Sequence, residues 1–128
     1  MGNLLWIGLG GALGTMARYW LSGMVAHRYG ETFPWGTIAV NVSGCLVIGF
    51  FAAWTDPSGR WMVGPTARQF VMIGILGGYT TFSSFSLQTL NLVRDGEWLW
   101  AGGNVVLSVI LCLAAVWLGH VAAMMFNN

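Results

Sequence analysis

The chain has 128 residues, of which 56% are hydrophobic and only 7% charged, with a formal net charge of +1 and no lysine. Water-soluble domains carry about 25% charge, so a soluble globular enzyme is excluded, and the lack of a basic patch to neutralise phosphates excludes a nucleic-acid partner. An aromatic content of 14% without low-complexity runs excludes disorder, which leaves an integral membrane protein.

A spanning helix needs about 20 mostly apolar residues. Four windows meet that need, at residues 4–26, 35–54, 70–93 and 98–126, and predict one all-α, four-helix transmembrane domain over residues 1–128. Of the charged residues only Arg18 lies inside a window; Arg28, Glu31, Asp56, Arg60, Arg68, Arg94, Asp95 and Glu97 all fall in the connectors. Trp6, Trp20, Trp35, Trp54, Trp61, Trp98 and Trp100 lie mostly near window ends, as an interfacial belt requires. The alternating ten-residue strands of a β-barrel are absent.

The first window has no basic leader and is longer than a signal-peptide core, so it is expected to be retained. Trp6 stands where myristoylation after Met1-Gly2 needs Ser or Thr. The glycine run at residues 8–14 resembles a dinucleotide fingerprint, but Leu13 occupies the third glycine position and no strand precedes it. Gly10 and Gly14 read instead as a helix contact. Arg18 is assigned a structural role, snorkelling or pairing with carbonyls at a helix end.

In the second window Thr37, Asn41, Gly44 and Cys45 share one helical face. A polar side chain in hydrocarbon must face a partner or a pathway. Asn41, at mid-span, is therefore either an interhelical hydrogen bond or a ligand. The third window is the most polar, with Gly74, Gly77-Gly78, Tyr79, Thr80-Thr81 and Ser83-Ser84. Adjacent glycines followed by threonines form helix poorly, which predicts an interruption near residues 77–81 whose backbone groups need protein, water or an ion. Gly74 and Gly78 also fit close packing, which leaves the hydroxyl run unexplained. Beyond the interruption Phe82 and Phe85 share a face beside a polar stripe of Thr81, Ser84, Gln88 and Asn91. Ring edges suit a small anion and ring faces a cation. The fourth window carries Asn104, Ser108 and Cys112 at steps of four. Cys45 and Cys112 read as packing residues, His120 as interfacial, and no nucleophile–base pair or metal-ligand cluster is present.

Arginines near span ends normally choose the cytoplasmic side. Here Arg60 and Arg68 stand on one side and Arg28 and Arg94 on the other. The tie is either the noise of a small count or a sign of insertion in both orientations with antiparallel pairing, and four helices are few to enclose a polar pathway alone, which favours an oligomer.

The segment Gly77-Gly78-Tyr79-Thr80-Thr81-Phe82-Ser83-Ser84-Phe85-Ser86 resembles the third helix of the Fluc (CrcB-type) fluoride channels. Gly10-Gly11, Gly14 and Arg18-Tyr19-Trp20 resemble that family's first helix, and residues 34–37 with Val40-Asn41, Gly44 and Ile48-Gly49 its second. The resemblance implies an antiparallel dual-topology homodimer in the bacterial inner membrane, with two passive fluoride-selective pores at the subunit interface. It implies pore residues at Asn41, Phe82, Phe85 and Ser108, with hydroxyls of Thr81 and Ser84 beside them. It also implies one structural Na⁺ at the dimer centre on the backbone carbonyls of Gly77 and Thr80. Gln88 departs from a common Glu, and Asn104 from an occasional Tyr, along the pathway lining. The nearest rival, a small multidrug-resistance-type exporter, needs a carboxylate in its first helix, and residues 4–26 have none. A non-transporting assembly subunit predicts no ion flux at all.

Overall fold

The computed structural model describes residues Met1–Asn128 and is helical throughout. Its elements are α1 (Gly2–Tyr29), α2 (Trp35–Trp54), α3 (Pro65–Gln69), a π-helical stretch (Phe70–Ile75), α4 (Leu76–Tyr79), α5 (Phe82–Arg94) and α6 (Trp98–Asn127). The elements from α3 to α5 form one broken rod, so four rods occupy the four predicted windows. Three of them, Trp35–Trp54, Pro65–Arg94 and Trp98–Asn127, are long and apolar enough to cross a membrane. That differs from the expected four. At 28 residues α1 is about 42 Å long, ample for a bilayer, but its glycines, Thr15, Arg18, Ser22 and Arg28 dilute its apolar character. The π-helical stretch was not anticipated; a helix that gains one residue in a turn leaves no mark in apolar periodicity.

The ends of the rods follow local chemistry. Gly30, at φ 83°, stops α1 and returns its amide to the Ala26 carbonyl. Pro65 opens the third rod at a position where its missing N–H costs nothing. Arg68 reaches back to the C-terminus of α2, where its Nη1 donates to the Ala52 and Thr55 carbonyls and to the Thr55 hydroxyl. A cation there satisfies orphan carbonyls and opposes the negative end of the helix dipole.

Close backbone approach holds the rods together. α2 packs most extensively against α6, where a Cβ on Gly49 would strike the Val116 carbonyl and one on Gly119 the Leu46 carbonyl. α1 packs against the π-helical stretch and α4. A Cβ on Gly10 would lie 2.7 Å from the Phe70 carbonyl oxygen, and one on Gly78 2.6 Å from that of Gly11. The predicted Gly10/Gly14 contact is therefore present, and Gly74 and Gly78 provide its opposite face. In lipid such packing carries the association, because the tails are as apolar as the side chains. Only 23 of the 128 residues are buried within the chain. Leu9, Leu13, Ile110, Leu113 and Trp117 point outward with many other large apolar side chains, a surface suited to lipid or a second copy rather than water.

Candidate functional site

The site starts where the third rod breaks. Thr80 (φ −80°, ψ 158°) and Thr81 (φ −152°, ψ 113°) are extended. The break is thus in the predicted place, but the glycines do not make it. Gly77 and Gly78 lie within α4, and Gly78 is spent on contact with α1. Two β-branched residues, which favour extended backbone, form the break itself.

α2 seats Tyr79 as well as the two threonines of the break. The Tyr79 hydroxyl is 2.7 Å from the Ser43 hydroxyl. Thr80 places its methyl where a Cβ on Gly44 would stand. The Thr81 amide donates to Asn41 Oδ1 at 2.8 Å, and Asn41 Nδ2 donates to the Thr81 carbonyl at 3.1 Å. Asn41 therefore forms the interhelical hydrogen bond that was one of its two expected roles. The Thr81 hydroxyl then accepts from the Ser84 amide at 3.1 Å and caps α5.

A cavity of about 370 Å³ opens against this break. Of the predicted residues, Asn41, Thr81, Phe82, Phe85 and Ser108 line it, and so do Gly77 and Thr80. The two rings sit 5.3 Å apart at 50°, with Phe85 buried and Phe82 78% exposed on the chain's surface. Cys45 and Cys112 also line the cavity, and both thiols are free, as expected. The fourth-helix stripe divides. Asn104 is almost fully buried and donates to the Thr89 hydroxyl at 2.9 Å, while Ser108 donates to Asn104 Oδ1 at 3.3 Å. Asn104 therefore ties α6 to α5, and Ser108 alone of the two reaches the cavity wall.

Ser84 is not in that cavity. It lines a wider groove with Thr37, Gln88 and Arg18, and Thr81 borders both spaces. Ser84 stays connected to the first cavity through Thr81, whose hydroxyl donates to it at 3.1 Å. Of the two roles expected for Arg18, the pairing with carbonyls is not formed: its side chain makes no hydrogen bond or ion pair within the chain and lines this groove. Periodicity did not reveal that role; the absence of any carboxylate within helical reach was the available signal. Gln88 Oε1 is buried in the groove wall without a partner. Electrostatically the two spaces combine neutral donors with two cations in the groove, Arg18 and Arg28, and no carboxylate except Glu31. No group of three His, Cys, Asp or Glu is present, so a cation at the break would be held by backbone oxygen. The chemistry suits a hard ion. In a continuous helix the Gly77 carbonyl would pair with the Thr81 amide, but that amide is engaged by Asn41. Thr80 presents its own carbonyl from extended backbone.

Four helical rods, one of them broken beside a cavity of neutral hydrogen-bond donors, define a polytopic membrane protein built around a polar opening. The family model described as "CrcB-like protein, Camphor Resistance (CrcB)" matches residues 5–120, and the chain belongs to that family. A protein named fluoride-specific ion channel FluC from Opitutus terrae is 66% identical over 128 residues, covering 100% of this chain and 97% of the relative. Relatives of the same name from Methylocella silvestris and Rhodospirillum rubrum are 61% and 58% identical, covering 98% and 97% of this chain and 96% of each relative. The family is one of ion channels, not enzymes.

Proposed function

We propose that the chain is a passive, fluoride-selective channel that exports F⁻ across the bacterial inner membrane. It works as an antiparallel dual-topology homodimer, with two pores at the subunit interface. The observation that carries this reading is the meeting of Asn41, Thr81, Ser108, Phe82 and Phe85 in one cavity at a helix break. The name borne by its relatives supports the choice of ion. Pairing is supported by the exposure of Phe82, a cavity-lining ring open on the chain's surface where a second copy would close the wall, and by the even arginine distribution. Insertion of α1 as a fourth span belongs to the same proposal; packed against the third rod through Gly10 and Gly78, it goes where that rod goes.

Bare fluoride gives up a hydration shell at a cost of tens of kcal/mol in a low-dielectric medium. The donors here stand in for that water: the spare amide hydrogen of Asn41, the hydroxyls of Thr81, Ser84 and Ser108, of which Thr81 and Ser108 turn from Ser84 and Asn104 to meet the ion, and the positive edges of Phe82 and Phe85. None carries a full charge, so an ion can enter and also leave. Arg18 raises the local anion concentration in the groove without sitting in the cavity. A negative-inside potential then drives F⁻ outward with about 2.3 kcal/mol per 100 mV, and no nucleotide site is required. A structural Na⁺ at the dimer centre would be held by the carbonyls of Gly77 and Thr80, where it would neutralise the carbonyl dipoles gathered at the break. The test is efflux from liposomes loaded with KF or KCl, with a K⁺ ionophore to relieve charge. F⁻ release without Cl⁻ release is expected. Equal release of both removes the selectivity claim, and no release favours an assembly subunit.

A further inference from the structure

We infer that Asn41 is the positioning residue that holds the third rod open and keeps the Gly77 carbonyl available to a cation, so that one side chain serves both the cation site and the anion cavity. The cation half of this inference rests on the sodium reading above. The argument is an accounting of backbone groups. A continuous helix would return the Thr81 amide to the Gly77 carbonyl, four residues back. The structure gives that amide to Asn41 Oδ1, at 2.8 Å, and gives the Thr81 carbonyl to Asn41 Nδ2, at 3.1 Å. A side-chain amide presents an acceptor and a donor side by side, which matches the N–H and C=O of a single extended residue as a neighbouring strand would. An aliphatic residue offers neither. Without this clasp the Thr81 amide is shared between the Gly77 carbonyl, which it then withholds from a cation, and water in the cavity, through which it exchanges. Ser43 and Gly44 seat the two preceding residues, but through a side chain and a vacant volume; only Asn41 competes directly for the backbone bond that would close the helix. After the clasp, one Nδ2 hydrogen is left for the cavity that Asn41 lines with Phe82 and Phe85.

The test uses the full chain in lipid nanodiscs, with ²³Na NMR to read Na⁺ binding and hydrogen-exchange mass spectrometry to read the Thr81 amide. Asn41→Ala is expected to weaken Na⁺ binding and accelerate exchange at Thr81, each about tenfold, the worth of one lost strong hydrogen bond. Ser108→Ala, which lies in the cavity but outside the clasp, is expected to lower fluoride flux and change neither reading. Asn41→Asp keeps the acceptor and should retain exchange protection at Thr81. If Asn41→Ala lowers flux while Na⁺ binding and Thr81 exchange stay as in the wild type, Asn41 is an anion ligand only and the inference falls. Should Asn41→Ala not fold, a folded Asn41→Asp protein with an unprotected Thr81 amide overturns it equally. Absence of Na⁺ binding by the wild type, with Thr81 protection still lost in Asn41→Ala, removes the sodium reading and leaves the clasp standing.

Discussion

α2 meets α6 and the broken third rod in opposite ways. Toward α6 it offers absence: Gly49 and Gly119 let backbone touch backbone, and the one side-chain hydrogen bond across that seam is from Asn127 to the Ala53 carbonyl near its end. Toward the broken third rod it offers function-bearing groups, with Asn41 and Ser43 bonded to consecutive parts of the break. The first seam is a scaffold and the second a site, and both are written on opposite faces of one 20-residue helix. Dispersion over close-packed backbone gives rigidity without polar groups. Hydrogen bonds in hydrocarbon give direction, at the cost of needing every partner satisfied.

Gly119→Val should break the scaffold outright. Its first side-chain atom would meet the Leu46 carbonyl and stand 2.8 Å from the Phe50 amide nitrogen, and overpacking against backbone costs about 3 kcal/mol. Thermal unfolding in detergent should show a loss of that order, and an unchanged midpoint would mean the seam is slack. On the site side, Phe85→Ile should leave the midpoint nearly in place and reduce fluoride efflux about tenfold, the equivalent of an aromatic contact near 1.4 kcal/mol. A drop in stability equal to that of Gly119→Val, with normal efflux in folded protein, would reverse the assignment of scaffold and site.

The smallest effect lies outside both seams, in the connector after α2. The Asp56 carboxyl is held below the usual carboxylate range by hydrogen bonds from the Ser58 hydroxyl and amide, with the Arg68 charge a lesser contribution. A folded value below the unfolded one means that this turn stabilises the fold above the unfolded value and loses the effect as pH falls through the folded one. The unfolding midpoint of Asp56→Asn should therefore differ from wild type near neutral pH and converge with it in acid. Parallel curves would show that the turn contributes nothing.

Much of the site was legible before any coordinates. Asn41, Thr81, Phe82, Phe85 and Ser108 were singled out as polar or paired residues where lipid tolerates neither without reason, and they line one cavity. Ser84 was placed with them, but α5 turns it into the neighbouring groove. For Arg18 only the expected pairing with carbonyls is missing, and a snorkelling arginine and a groove-lining one have the same sequence signature. The weight given to Gly77-Gly78 as the cause of the break was misplaced for a related reason: a glycine serves a tight helix contact and a broken helix equally well, and only the position of α1 distinguishes them.

By itself, then, the order of residues determined the helical membrane character, the four rods and the stretch in which one of them breaks. Those properties depend on hydropathy and backbone preference summed over neighbours along the chain. Tertiary structure alone decided which hydrogen-bond partner each freed group found. Leu76 to Thr81 acquires its shape from Gly11, Asn41, Ser43 and Gly44, residues more than thirty positions away in sequence, and a bond between distant residues has no local signature to read.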